Sequence, residues 1–241
     1  MIPGLDCGSP QGTITPENWS VVAKDRSWLI ARCMSGMGPG TDPTFSPNVT
    51  NARSVGLKVG AYFVFIPGSD PQDDPVAQAN AWFSGCGALG TNAGELPPTI
   101  DFEIASKQVT PQVELAALIS CIQTITQLWG RAPILYTYPD FWKRIFAIAT
   151  PDEANIIASC ILWFASYQSD PPSPPHPWTS ITFWQSSGGD KYTLPNGLRC
   201  DADFFLGDEA ALESLTSFIQ NGVQDVLAGV SPPLDIPGEN V

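Results

Sequence analysis

The chain has 241 residues, 43% of them apolar, which suits one globular domain with a large core. Its formal net charge is −13 although only 15% of residues are charged, so the acidity reflects scarce Lys and Arg; such a surface repels phosphate backbones and anionic membranes and argues against nucleic-acid binding. The longest apolar stretch, 156–167, falls short of the roughly 20 residues of a membrane helix, so no membrane insertion is expected.

The opening Met1-Ile2-Pro3-Gly4-Leu5-Asp6 has no basic n-region and no apolar h-region, and reads as a strand rather than a secretory signal. Seven further apolar or β-branched segments follow, at 28–33, 58–65, 99–103, 134–138, 161–167, 181–186 and 198–205. Helical patterns lie between the early ones. Thr15-Pro16-Glu17 supplies an N-cap, a proline at the first helical position and a first-turn acid ahead of residues 18–24. Thr110-Pro111 opens a longer helix in which Leu115, Leu118, Ile119, Ile122 and Ile125 recur at helical spacing until Gly130 ends it.

Strands of this kind alternating with helices predict an α/β protein with a parallel sheet covered on both faces, and eight strands predict a closed TIM-like (β/α) barrel. Residues 168–179 are proline-rich and 187–196 are glycine-rich and polar, so strands six to eight are expected to be joined by loops. The barrel should therefore have five crossover helices and a closing side without them. After it, Ala211, Leu212, Leu215, Phe218 and Ile219 form a helical stripe expected to pack outside the barrel. The predicted organisation is a barrel over 1–207, a packed helix over 208–230 and a flexible tail over 231–241.

Chemistry in a parallel barrel sits at the C-terminal ends of the strands. Asp6 falls at such an end on the first strand, Asp101 and Glu103 on the fourth, and Asp201 on the eighth. In Asp101-Phe102-Glu103 the acids are two apart, which projects both carboxylates from one face of a strand end. Carboxylates converging on one mouth raise at least one pKa and keep a proton available near neutrality, as glycoside hydrolysis requires. Tyr62, Tyr136, Tyr167 and Trp184 lie near strand ends and offer apolar faces on which sugars stack, with core packing as the alternative.

Other polar residues carry less. His176 is the one histidine and sits in a proline-rich loop, which excludes zinc sites built on several histidines. Asp70, Asp73 and Asp74 read as helix-start acids rather than a cation loop. No metal and no cofactor are expected. The six cysteines contain no Cys-x-x-Cys and read as buried thiols; Cys7 and Cys200 come near one another if the first and last strands pair, which leaves their disulfide status open.

Several motifs, in order, carry a resemblance: Gly4-Leu5-Asp6-Cys7-Gly8-Ser9-Pro10-Gln11-Gly12, Leu29-Ile30-Ala31-Arg32, Asp42-Pro43-Thr44-Phe45, Gly56-Leu57-Lys58-Val59-Gly60-Ala61-Tyr62, Leu162-Trp163-Phe164-Ala165-Ser166-Tyr167, Trp184-Gln185 and Asp201-Ala202-Asp203-Phe204-Phe205. Together with Asp101-Phe102-Glu103, the set resembles glycoside hydrolase family 25, the lysozymes or N-acetylmuramidases of fungi, bacteria and bacteriophages. The resemblance implies a barrel with its last helices missing. It also implies hydrolysis of the β-1,4 bond between N-acetylmuramic acid and N-acetylglucosamine in peptidoglycan glycan strands by a monomer.

On that resemblance Glu103 is the general acid and Asp101 assists at the anomeric side. Asp6 and Asp201 hold Glu103 electrostatically, while Tyr62, Trp184, Tyr136, Tyr167, Gln185 and Asp203 are candidates for substrate contact. It places the activity at the bacterial cell wall, reached by phage lysis, in a virion or by secretion. A non-catalytic glycan-binding or virion structural protein on the same barrel is the alternative. Three positions depart from the pattern: Cys7-Gly8 replaces a small hydroxyl, Phe63 a histidine, and Asp203 the closing asparagine. The last is expected to add a negative charge to the mouth.

Overall fold

Most helices in this chain start where a hydroxyl or carboxylate side chain precedes a proline. A computed structural model describes residues 1–219 except 39, 69, 71–72 and 106–107. In it Thr15 Oγ1 accepts from Asn18 N at 3.3 Å at the start of α1 (Pro16–Val22), and Asp74 Oδ1 accepts from Ala77 N at 2.7 Å at the start of α3 (Pro75–Gly85). Asp74 is thus a helix-start acid, as its position suggests. Thr110 precedes α4 (Pro111–Trp129), which ends at Gly130 with φ of 66°, a left-handed conformation that suits glycine. Thr150 and Glu153 form a reciprocal capping box at α6 (Pro151–Ala158).

The strands are β1 (Ile2–Cys7), β2 (Trp28–Ser35), β3 (Lys58–Val64), β4 (Thr99–Asp101), β5 (Ile134–Thr137), β6 (Ile161–Ala165), β7 (Phe183–Thr193) and β8 (Arg199–Phe205). They close into one barrel in sequence order. The crossovers are α1, α2 (Phe45–Ser54), α3, α4, and the pair α5 (Pro139–Phe146) and α6. Between β6 and β8 no helix occurs among the described residues, in line with the loop-rich closing side read from the sequence.

One expectation is corrected. The barrel is mixed, because β8 runs antiparallel to both β7 and β1. A parallel connection needs a dozen or more residues of crossover, whereas β7 and β8 are joined by residues 194–198, enough only for a hairpin. The glycine-rich stretch expected as a loop instead extends β7 to Thr193, with register shifts that absorb its irregularity.

Side chains alternate between two apolar layers. Ile2, Trp28, Ile30, Ile134, Trp163, Phe183 and Phe205 point into the barrel. Their neighbours Leu5, Leu29, Ala31, Leu135, Leu162 and Phe164 point out to meet the helices. The outer layer is rich in rings: Trp82 lies 4.5 Å from Phe63 and 4.6 Å from Trp129, measured between centroids. Inside, Gly4 leaves room for the indole of Trp28, since a Cβ there would lie 2.0 Å from that ring.

The C-terminal helix packs on one end of the barrel. α7 (Glu209–Thr216) sets Leu212, with Leu215 beside it, against the inward-facing cluster. Its partners are Lys58, whose ammonium lies 2.7 Å from Glu213, and Arg131, which donates to the Leu215 carbonyl. Both precede or open a strand, so α7 closes the end of the barrel opposite the acidic mouth instead of joining the outer helices. The expected continuation of this helix to 230 and the tail 231–241 lie outside the described residues.

Candidate active site

The acids meet at one end of the barrel through strand direction. Asp6 and Asp101 lie late in the parallel strands β1 and β4, and Glu103 follows β4 by two residues. Asp201 lies early in β8, which would put it at the far end of a parallel strand. Because β8 is reversed, its start lies at the mouth. The β1–β8 pairing of Gly4 with Asp203, continued by two residues, sets Asp201 opposite Asp6.

Asp6, Tyr62, Asp101, Glu103, Tyr136, Trp163, Gln185 and Asp201 line a cavity of about 80 Å³ at this mouth. A wider groove of about 380 Å³ continues from Glu103 and Tyr136 over Tyr138, Pro139, Ser166 and Tyr167. Phe102, between the two acids of β4, turns outward and is fully buried against Phe65 and Phe141. That anchorage fixes the direction in which Asp101 and Glu103 face.

Gln185 organises the floor. Its Nε2 donates to Asp6 Oδ2 at 2.9 Å and to Asp201 Oδ2 at 3.3 Å. Its Oε1 accepts from the hydroxyls of Tyr136 at 2.9 Å and Tyr167 at 3.2 Å. Two donated and two accepted hydrogen bonds hold the amide in place. The Cys200 thiol donates to the Asp6 carbonyl at 2.8 Å; all six cysteines are buried free thiols.

Burial and mutual repulsion raise the proton affinity of these acids. Burial first, then Asp201, raises the Asp6 carboxyl to about 7. Burial, then Glu103 and Asp6, lifts Asp101 well above the carboxylate range, and its buried Oδ1 faces no donor among the described residues. Glu103 is half-buried and raised by desolvation and by Asp201. Such groups titrate as a set rather than singly. The arrangement therefore holds transferable protons beside a groove lined by tyrosines, with no grouping of His, Cys, Asp and Glu fit for a metal among the described residues.

Glycosyl hydrolases family 25 matches residues 6–193 of the sequence. The chain belongs to that family. It is 27% identical over 165 residues to an N,O-diacetylmuramidase of Arthroderma benhamiae, covering 64% of this chain and 67% of that protein. It is 26% identical over 227 residues to lysozyme M1 of Streptomyces globisporus, covering 90% of this chain and 71% of that one. The solved muramidase of Acremonium alcalophilum superposes with a TM-score of 0.74 at 26% identity, over 90% of this chain and 99% of that one.

In this family 25 barrel, eight of the ten candidate residues gather at the mouth or its groove: Asp6, Asp101, Glu103, Asp201, Tyr62, Tyr136, Tyr167 and Gln185. Two residues expected to contact substrate do not line the cavity or the groove. Trp184 faces outward, because it alternates with the inward Phe183 and Gln185; its ring stacks on Phe204 and its Nε1 donates to Ser166 O at 2.9 Å. Asp203 is 1% exposed and lies beneath the cavity instead of lining it. The residue that sequence reasoning missed is Trp163, which lines the cavity and donates from Nε1 to Asp203 Oδ1 at 3.1 Å. Its signal was present in the alternation of Leu162-Trp163-Phe164, which turns Trp163 inward.

Proposed function

We propose that this chain is a muramidase that hydrolyses the β-1,4 bond between N-acetylmuramic acid and N-acetylglucosamine in bacterial peptidoglycan, through the barrel of residues 1–207. The observation that carries this reading is Glu103: a half-buried carboxyl with a raised pKa, open to the groove and facing Asp201. Glu103 protonates the glycosidic oxygen as the bond to the leaving sugar breaks. Asp101 steadies the N-acetyl group or the positive charge that develops on the sugar ring. Asp6 and Asp201 raise the proton affinity of the set, so that Glu103 enters the reaction as an acid. Tyr62, Tyr136 and Tyr167 give the sugars apolar faces and hydroxyls. The muramidase names of the relatives support the choice of substrate.

The test compares the native chain with Glu103→Gln on purified peptidoglycan, with new reducing ends quantified. Loss of the general acid is expected to lower the rate by about 10²–10⁴-fold while sugar binding persists. Equal release by both proteins overturns the role of Glu103. Release by neither overturns the muramidase reading and, if sugar still binds, favours a glycan-binding protein.

A further inference from the structure

The fifth acid of the mouth, Asp203, is the most enclosed. It sits mid-strand in β8, opposite Gly4 of β1 and Gln185 of β7, and is 1% exposed. Trp163 Nε1 donates to its Oδ1 at 3.1 Å. Its Oδ2 is buried, and no N–H or hydroxyl of the described residues is directed at it. Asp6, two residues along β1 from its partner Gly4, presents its carboxyl on the same inward face, so that the two carboxyls adjoin and can hydrogen-bond. Two carboxyl groups can share such a bond only when one of them carries a proton.

We propose that Asp203 is a positioning residue that works as a neutral acid, donating its proton to the Asp6 carboxylate while Trp163 donates to its other oxygen. The groups that face it leave little alternative. Asp6 approaches from β1 and Asp201 from its own strand, both as acids; the Cys200 thiol and the Tyr167 hydroxyl also interact with it electrostatically, and neither is cationic. Among the described residues no Lys or Arg pairs with it. An ionised Asp203 would be a buried charge beside two others with one oxygen unsatisfied, a costly state.

The proton belongs on Asp203 rather than Asp6 for a further reason. Asp6 receives an N–H from Gln185 and touches the cavity, both of which favour its ionised form. Burial, followed by Asp6 and Asp201, pushes Asp203 well above the carboxylate range. A carboxylic acid presents one donor and one acceptor, as an amide does. The departure from asparagine at position 203 therefore preserves the hydrogen bonds without adding the charge that the sequence suggests.

Three measurements on the full chain test this, and only the last rests on the muramidase reading. The first is the melting temperature of native protein and Asp203→Asn as a function of pH. The folded pKa of Asp203 lies above the unfolded value of about 3.9, so its contribution to stability is complete below that value and is lost as pH rises toward the folded pKa. Asp203→Asn has no such loss, and its melting temperature should gain on the native protein steadily from pH 4 to 7. A deficit that stays constant or widens toward pH 7 overturns the proposal.

The second is a carboxyl ¹³C NMR titration of the native protein, with the Asp203 signal assigned by its absence in Asp203→Asn. A shift that stays at the protonated position through pH 6 supports the proposal, and an ordinary titration near pH 4 overturns it. The third is turnover: Asp203→Ala removes the donor to Asp6 and should lower kcat by roughly tenfold or more, with Asp203→Asn rescuing it. Equal damage in both variants overturns the positioning role. If the native protein cleaves no peptidoglycan, the muramidase reading fails while the first two measurements still decide the proton.

Discussion

The arc from β1 to β6 and the closing pair β7 and β8 are held together differently. In the arc each parallel strand is covered by a helix, and the strength lies in aromatic and aliphatic packing between the two layers, such as Trp82 against Phe63 and Trp129. On the closing side the helices are absent and a hairpin completes the barrel. Its inward residues near the mouth are Gln185, Asp201 and Asp203, a polar network instead of a core. The helix-free side carries the partners that set the protonation of the acids on the covered side.

That division can be broken on either side. The largest effect is expected in the arc, where Arg144 of α5 pairs with the fully buried Glu114 of α4. Arg144→Met leaves a buried charge and should cost about 3 kcal/mol of stability in denaturant unfolding, with kcat per folded molecule unchanged. Gln185→Leu acts on the closing side, removing donors to Asp6 and Asp201 and the acceptor for two tyrosines. It should lower kcat by about 30-fold, equivalent to about 2 kcal/mol, and move the pH profile; a purely structural effect would shift the melting temperature and leave the profile in place.

The pH dependence itself comes next. Asp6 is raised to about 7 and Glu103 is raised in the same direction, so the acid form of the set is lost as pH climbs through neutrality. kcat/KM should therefore fall with rising pH above about 7, approaching tenfold per unit. A flat profile between pH 5 and 9 would sharpen the comparison against the proposed acid. The smallest effect is expected from Thr150→Ala, which removes the capping box of α6 far from the mouth. It should cost about 1 kcal/mol of stability and leave the pH profile untouched.

Much of the fold was legible because its signals are local. Thr15-Pro16, Thr110-Pro111 and Gly130 act on the backbone within a few residues, and the helices start and stop there. Strand positions followed from runs of apolar and β-branched residues. Asp101 and Glu103 face one cavity because spacing by two along an extended chain is a local rule, reinforced by Phe102 locking into the outer core. Proximity to a strand end says nothing of which face Trp184 takes; parity with Gln185 decides that, and places it outside.

Sequence alone thus determined the eight strands, the five crossovers and four acids belonging to one mouth, all properties set by neighbours along the chain. Only the tertiary structure decided the direction of β8, the seat of α7 under the barrel and the environment of Asp203. The last two depend on groups remote in sequence, Asp6 and Trp163 for Asp203, Lys58 and Arg131 for α7. A short hairpin reversed the last strand, and with that reversal Asp201 reached the mouth and Asp203 the closed space beneath it.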